Sequence, residues 1–338
     1  MKKFTSGLIA VGIVLVIAGG FMFMNSAPSD LVTEIVAVKK GDTMRSVAHA
    51  LAERNIVRSE AFMYRIAQAT GRTAVIAGRY KVHPGTTAFE IVQKINRGDI
   101  IRRKVTIPEG YNIYQIAERL QQNEVVRADA FLALVADPAF LASIGINAPL
   151  AEGYLFPDTY TFAEDADPRA VITMMHNRLQ KVLDGLDLSP LKKHSMDLHA
   201  LLTLASMVEK EARVPQERRY IAAVFHNRKR LGMRFDCDPT VRYAVKRWKG
   251  PIYRSDLNSN SPYNTYVHAG FPPTPICSPG RDAIRASLNP EKVSFLYFVA
   301  RNDGSHYFST TVQEHNRAVQ FYQRGVNNGF VDTQKLPR

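Results

Sequence analysis

From Phe4 to Met24 the chain carries no charge, and the run is rich in Ile, Val, Leu, Ala and Gly. About 20 residues at ~1.5 Å each cross the ~30 Å of bilayer hydrocarbon, so this stretch constrains everything after it. Lys2 and Lys3 precede it. The positive-inside rule keeps them cytoplasmic and sends the rest of the chain across. A cleaved secretory signal is the alternative, but its apolar core runs only about 7–15 residues. Asn25-Ser26-Ala27-Pro28 is also a poor cleavage site. We therefore expect an uncleaved, single-pass anchor. No cysteine lies near residue 25, which excludes a lipoprotein.

Export changes the meaning of the formal net charge of +13. In a cytoplasmic protein such an excess points first to nucleic acid. On the far side of a membrane it suits anionic headgroups and an anionic wall polymer, so no nucleic-acid partner is expected. With 46% hydrophobic and 22% charged residues, the rest of the 338-residue chain has a globular composition. The two cysteines, Cys237 and Cys277, are too few for a disulfide scaffold. Bridged and free states both remain open. No Cys/His spacing resembles a metal site, and neither metal nor cofactor is expected.

After a linker at 26–34, residues 35–100 read as a small α+β module. Val36-Ala37-Val38 is strand-like, Gly41-Asp42-Thr43 is a turn with a helix cap, and Val47, Leu51 and Ile56 mark one amphipathic helix. The pattern then repeats: strand Gly78–Val82, turn Pro84-Gly85, cap Thr87, and a helix through Ile91, Val92 and Ile95 that Gly98 stops. Residues 101–325 read as a mixed α+β domain, with a tail at 326–338. A strand is expected at 104–107, and helices near 113–120, 128–135, 168–185, 196–213 and 215–231. The apolar run Phe295–Val299 reads as a buried strand.

The stretch Leu201-Leu202-Thr203-Leu204-Ala205-Ser206-Met207-Val208-Glu209-Lys210-Glu211 is an apolar helix ending in two carboxylates. A carboxyl at such an end is desolvated, which raises its pKa and suits it to donate a proton near neutral pH. Helical periodicity puts both glutamates at the edge of the apolar stripe and does not choose between them. Glu209 has Arg213 four residues on, a favourable surface ion pair, while Glu211 has Pro215 there.

Leu204–Glu211 resembles the signature helix of the endolytic murein transglycosylases (the MltG, or YceG-like, family). The resemblance continues through Glu152–Tyr160, Val224–Arg228, Asp238–Val241, Tyr263–Tyr266, Gly270–Pro273, Ser278–Gly280, Tyr297–Ala300, His306–Thr311 and Glu314–Asn316. It covers nearly the whole chain. The Gly41-Asp42-Thr43 opening in turn resembles LysM modules, which bind N-acetylglucosamine chains.

The resemblance implies an α+β fold in which an N-terminal transmembrane helix and a LysM-like module precede the catalytic domain. It implies that Glu211, second of the Glu-x-Glu pair, is the acid/base of a lyase reaction. Glu211 would protonate the oxygen between N-acetylmuramic acid and N-acetylglucosamine, then take the proton of the muramic C6 hydroxyl as a 1,6-anhydro ring closes. The family's hydroxyl residue after this glutamate is Ala212 here, and Cys237 replaces a threonine. The resemblance also implies an inner-membrane protein with its catalytic domain in the periplasm. It would end nascent glycan strands beside peptidoglycan synthases.

Tyr263, Asn264 and Tyr266 have polar tips suited to sugar N-acetyl groups, and their loop could equally pack on the core. Asp238 is a site polar group or an Asp-Pro turn. His306 and Asn316 line a cleft or brace the 295–300 strand, and Glu152 is a further cleft candidate. Arg228-Lys229-Arg230 reads as a solvated helix face. Two rival functions stand: a hydrolase using Asp238 as second carboxylate, and a non-catalytic wall-binding scaffold.

Overall fold

The apolar N-terminal run folds as one continuous helix, α1 (Lys2–Asn25). The computed structural model describes residues 2–326, 329–334 and 336, without the side chains of residues 2–6. Met1 and, from the expected tail, Asn327, Asn328, Lys335, Pro337 and Arg338 lie outside the described residues. Among the described residues α1 alone is long and apolar enough to cross a membrane, which is compatible with a single-pass anchor. Its end is fastened. Asn25 Oδ1 accepts the Phe89 N–H at 3.0 Å, and Phe21 meets Phe62 edge-on at 5.3 Å. The Arg58 guanidinium lies 4.3 Å over the Phe23 ring and donates to the Ala27 carbonyl at 3.1 Å.

The architecture is mixed α+β, and the chain divides into two compact units. The first comprises 1–104 with short returns at 123–125 and 161–166. After α1 come β1 (Glu34–Val38), α2 (Met44–Glu53), α3 (Glu60–Ala69), β2 (Gly78–Val82), α4 (Ala88–Arg97) and β3 (Arg102–Thr106). β1 and β2 pair antiparallel, with Glu34 opposite Val82. Thr43 and Thr87 each accept the N–H three residues on and so cap α2 and α4. Gly98, at φ 71°, ends α4.

One expectation fails here. The helix read through Val47, Leu51 and Ile56 ends at Glu53, short of Ile56, and a second helix that was not expected follows from Glu60. The chain breaks at Asn55 (φ 53°), buries Ile56 in the connection, and restarts where the Ser59 hydroxyl caps Phe62 N–H.

The second unit comprises 105–122, 126–160 and 167–338. Its elements are α5 (Ile113–Gln122), α6 (Ala128–Leu134), α7 (Pro138–Ser143), β4 (Thr159–Ala163), α8 (Pro168–Asp184), α9 (Pro190–Lys193) and α10 (Leu198–Glu211). A 3-10 turn at Pro215–Glu217 leads into α11 (Arg218–Arg230). Then come α12 (Asp238–Ala244), α13 (Arg254–Leu257), α14 (Arg281–Leu288), β5 (Tyr297–Ala300), β6 (His306–Ser309) and α15 (Val312–Arg324). Within this unit β5 and β6 pair antiparallel. The core gathers around α10, against which α11, α12 and α14 pack.

Two readings of this unit are corrected. The Phe295–Val299 run is not a buried strand: β5 starts at Tyr297, pairs only with β6, and buries Val299 alone. A two-stranded ladder covers too little of each face to bury every side chain. Nor is Arg228 part of a solvated face, being only 7% exposed. Its Nε donates to Leu296 O at 2.6 Å. Its Nη1 donates to the carbonyls of Arg234 (2.9 Å) and Phe235 (3.0 Å) and to Asp236 Oδ2 (2.9 Å). It thus ties α11 to the loop that follows it and to Leu296, 68 residues along the chain. Arg228→Met keeps the stem but strands three carbonyls, each unmade bond costing about 1–3 kcal/mol. Urea unfolding of the full chain in detergent should show a loss of roughly 3 kcal/mol or more.

Candidate active site

Asp197 caps α10 by accepting the Ala200 N–H at 2.7 Å, and Leu201–Val208 are all buried. A helix covered on every side has no apolar stripe, so periodicity could not separate its two glutamates. The helix ends at Glu211 because Ala212 leaves helical geometry (ψ 108°), with Pro215 following.

The glutamates end in different company. Glu209 Oε2 accepts the Gly280 N–H at 3.0 Å, and Oε1 lies 3.8 Å from the Arg218 guanidinium. Burial still pushes its pKa up. A methyl group on Gly280 would land 2.0 Å from the Glu109 carboxylate, which would have to swing aside. The expected Glu209–Arg213 pair gives way to Arg218, because the helix has ended before residue 213. The Arg213 charge acts on Glu211 instead.

Glu211 is half-buried, and its Oε1 accepts the Cys237 thiol at 3.2 Å. Burial, reinforced by the negative charge of Asp238, pushes its carboxyl up to about 7. The thiol bond, His306 and Arg213 oppose that rise. Both cysteines are free and buried, so the bridge left open by the sequence is not formed. Cys277 donates to Ser206 O at 3.4 Å.

Asp238 is exposed at the start of α12 and accepts the Tyr266 hydroxyl at 2.7 Å. Asn264 is fully buried. Its Nδ2 donates to the carbonyls of Leu257 and Ser259, and its Oδ1 accepts the Tyr266 N–H at 3.0 Å. It braces the loop that presents Tyr266. Tyr263 shares a 2.8 Å hydrogen bond with Thr274 and packs on Tyr243 at 4.8 Å.

His306, on β6, is buried and held twice by Glu217: its N–H at 2.9 Å and its Nδ1 at 2.7 Å. Asn316 is exposed on α15 and takes no part in these contacts. Glu152 cannot line a cleft, because it is 0% exposed. Its Oε2 accepts Ile113 N–H (3.1 Å) and the Tyr243 hydroxyl (2.9 Å), while Oε1 has no partner. Burial pushes its pKa up to about 8.

Sequence reasoning missed Glu217 and the Cys237–Glu211 contact. The partner of Glu217 lies 89 residues away, and no local pattern announces such a pair. Among the described residues no cluster of three His, Cys, Asp or Glu side chains is placed to hold a metal ion. A cavity of about 970 Å³ is lined by α9, α11 and the 290–295 segment, and Glu211 is not among its walls.

Residues 36–321 match the model of the YceG-like family. The chain belongs to that family. It is 39% identical over 183 residues to the endolytic murein transglycosylase of Bacillus subtilis (strain 168), covering 54% of this chain and 50% of that protein. It is 34% identical over 213 residues to the endolytic murein transglycosylase of Streptococcus pneumoniae (strain R6), covering 57% and 38% respectively. The chain thus spans half or less of the length of these curated relatives. The crystal structure of a yceG-like protein, lmo1499 of Listeria monocytogenes, superposes with a TM-score of 0.57 at 33% identity. It covers 85% of this chain and 99% of its own.

The buried Glu152 of this YceG-like chain makes stability depend on pH. Its carboxyl titrates at 4.5 when unfolded and at about 8 when folded. Between those values the folded state holds the extra proton, so stability is lost as pH rises through the window. At about 1.4 kcal/mol per unit, Glu152→Gln should exceed the wild type by a few kcal/mol at pH 8. Urea midpoints of the two proteins should converge toward pH 4.5.

Proposed function

We propose that this YceG-like chain is an endolytic peptidoglycan lytic transglycosylase with Glu211 as its acid/base. The observation that carries the reading is the contrast between the two glutamates of α10. Glu209 is held by a backbone N–H and a guanidinium, whereas Glu211 is offered one weak thiol donor and titrates at about 7. A carboxyl that holds a proton near neutral pH and is not locked into an ion pair can give that proton away and take it back.

In the proposed reaction the Glu211 proton passes to the glycosidic oxygen between N-acetylmuramic acid and N-acetylglucosamine. The bond to the muramic C1 breaks, and the sugar released keeps that oxygen as a hydroxyl. The muramic C6 hydroxyl oxygen then bonds to C1, and its proton returns to Glu211. No water is consumed. The attack is intramolecular and gains from effective molarity. Burial keeps Glu211 protonated, and the negative charge of Asp238, hydrogen-bonded to Tyr266, adds to it. The relatives named endolytic murein transglycosylase support the same reading.

The proposal extends to organisation. Residues 35–100 act as a LysM-like glycan-binding module, for which the β1–α2–α3–β2 order with antiparallel strands is the support. Residues 101–325 form the catalytic domain. α1 holds the chain in the inner membrane with that domain in the periplasm, where it ends nascent strands beside peptidoglycan synthases.

The test is mass spectrometry of purified glycan strands incubated with the full chain in detergent. We expect anhydromuramic ends from the wild type and a loss of about 10²–10⁴-fold in Glu211→Gln. Activity should fall as pH rises through about 7, where the acid loses its proton. Reducing ends would instead point to a hydrolase, for which Asp238 is the candidate second carboxylate, and no cleavage would favour a scaffold.

A further inference from the structure

We propose that Cys237 is a positioning residue for Glu211, whose S–H orients one carboxyl oxygen and sets the pH at which the acid gives up its proton. The inference rests on the reading of Glu211 as the acid. The thiol lies 3.2 Å from Glu211 Oε1 and is fully buried. Its backbone is fixed on both sides: the N–H donates to Thr265 Oγ1 at 3.0 Å, and the carbonyl accepts Thr240 Oγ1 at 2.6 Å. Thr240 and Thr265 share a hydrogen bond of their own at 2.9 Å. The sulfur therefore has a set place, and burial keeps the thiol protonated as a donor where Glu211 titrates.

The other charges around Glu211 are Asp238 on α12, His306 on β6 and Arg213 just past the end of α10. Asp238 opposes ionisation and the other two favour it. All three act through space. The thiol bond is directional, and it ends on one oxygen of the carboxyl that must exchange a proton. A thiol is a weak donor, so it holds the carboxylate without stabilising it as a hydroxyl would. This suits a group that must be protonated at the start of each turnover and ionised midway.

Infrared spectroscopy reads the contact without reference to turnover. The chain has two cysteines, so the S–H region holds two bands, and Cys277→Ser assigns them. In the full chain in detergent, the Cys237 band should shift as pH is carried through about 7 and stay fixed in Glu211→Gln. The pH–rate profile then reads the consequence. Cys237→Val, which fills the volume but donates nothing, should move the alkaline limb upward. Cys237→Ser, a stronger donor, should move it downward. Each shift should be on the order of half a pH unit to one unit, and kcat should change more than KM. A Cys237 band insensitive to pH in the folded wild type overturns the proposal. So do two variants whose limbs stay put or move the same way. If the wild type makes no anhydro ends, the functional reading fails, while the infrared titration still judges the contact.

Discussion

A carboxyl group that leaves water must find donors, find a cation or keep its proton, and the second unit shows each solution. Glu217 takes both a backbone N–H and a ring nitrogen from His306. Glu209 takes the Gly280 N–H and faces Arg218. Glu152 has two donors on one oxygen and none on the other, and burial keeps it protonated to about pH 8. Glu211 stands between these cases, half-buried, with a thiol for company. The first two carboxyls hold elements together, and the third sets a neutral polar group inside the core. Glu211 is left half-buried and outside any ion pair, titrating at about 7.

What brings that state about is the packing of α10. Surrounding helices cover Leu201–Val208 on every side, so the chain can approach solvent only where the helix ends. α12 begins beside that end and contributes Cys237 and Asp238 from consecutive positions, one as donor and one as charge. The 261–266 loop closes the arrangement, since Asn264 fixes the Tyr266 backbone and the Tyr266 hydroxyl fixes Asp238. Asn264, for which a sugar contact and a core-packed loop were both open, supports the site from within the fold.

Elements built from local rules were legible in the sequence. Thr43, Thr87 and Gly98 act as the capping rules say, and the helices at 168–184, 198–211 and 218–230 follow from their own patterns. α3 was missed although Ser59-Glu60 carries a cap signal, because Ile56 was read as the end of one longer helix. Contacts between distant positions were not legible. The burial of Arg228 depends on carbonyls as far along as Leu296, and Glu209 meets Arg218 because the helix stops two residues short of Arg213. The choice between Glu209 and Glu211 came from family resemblance, and the physical difference between them lies in Gly280, Arg218 and Cys237. No periodicity along one helix encodes those neighbours.

The fastening of α1 bears on reach. Phe21, Phe23 and Asn25 all meet residues of the first unit before the helix has ended. A helix held this way acts as a stiff post, with none of the slack of a flexible tether. If α1 crosses the bilayer as proposed, the height and tilt of the first unit are set by the membrane normal, and it samples a shell of fixed radius. Lengthening the 26–34 segment alone would then leave that radius unchanged, because the post ends in aromatic contacts made before the segment begins.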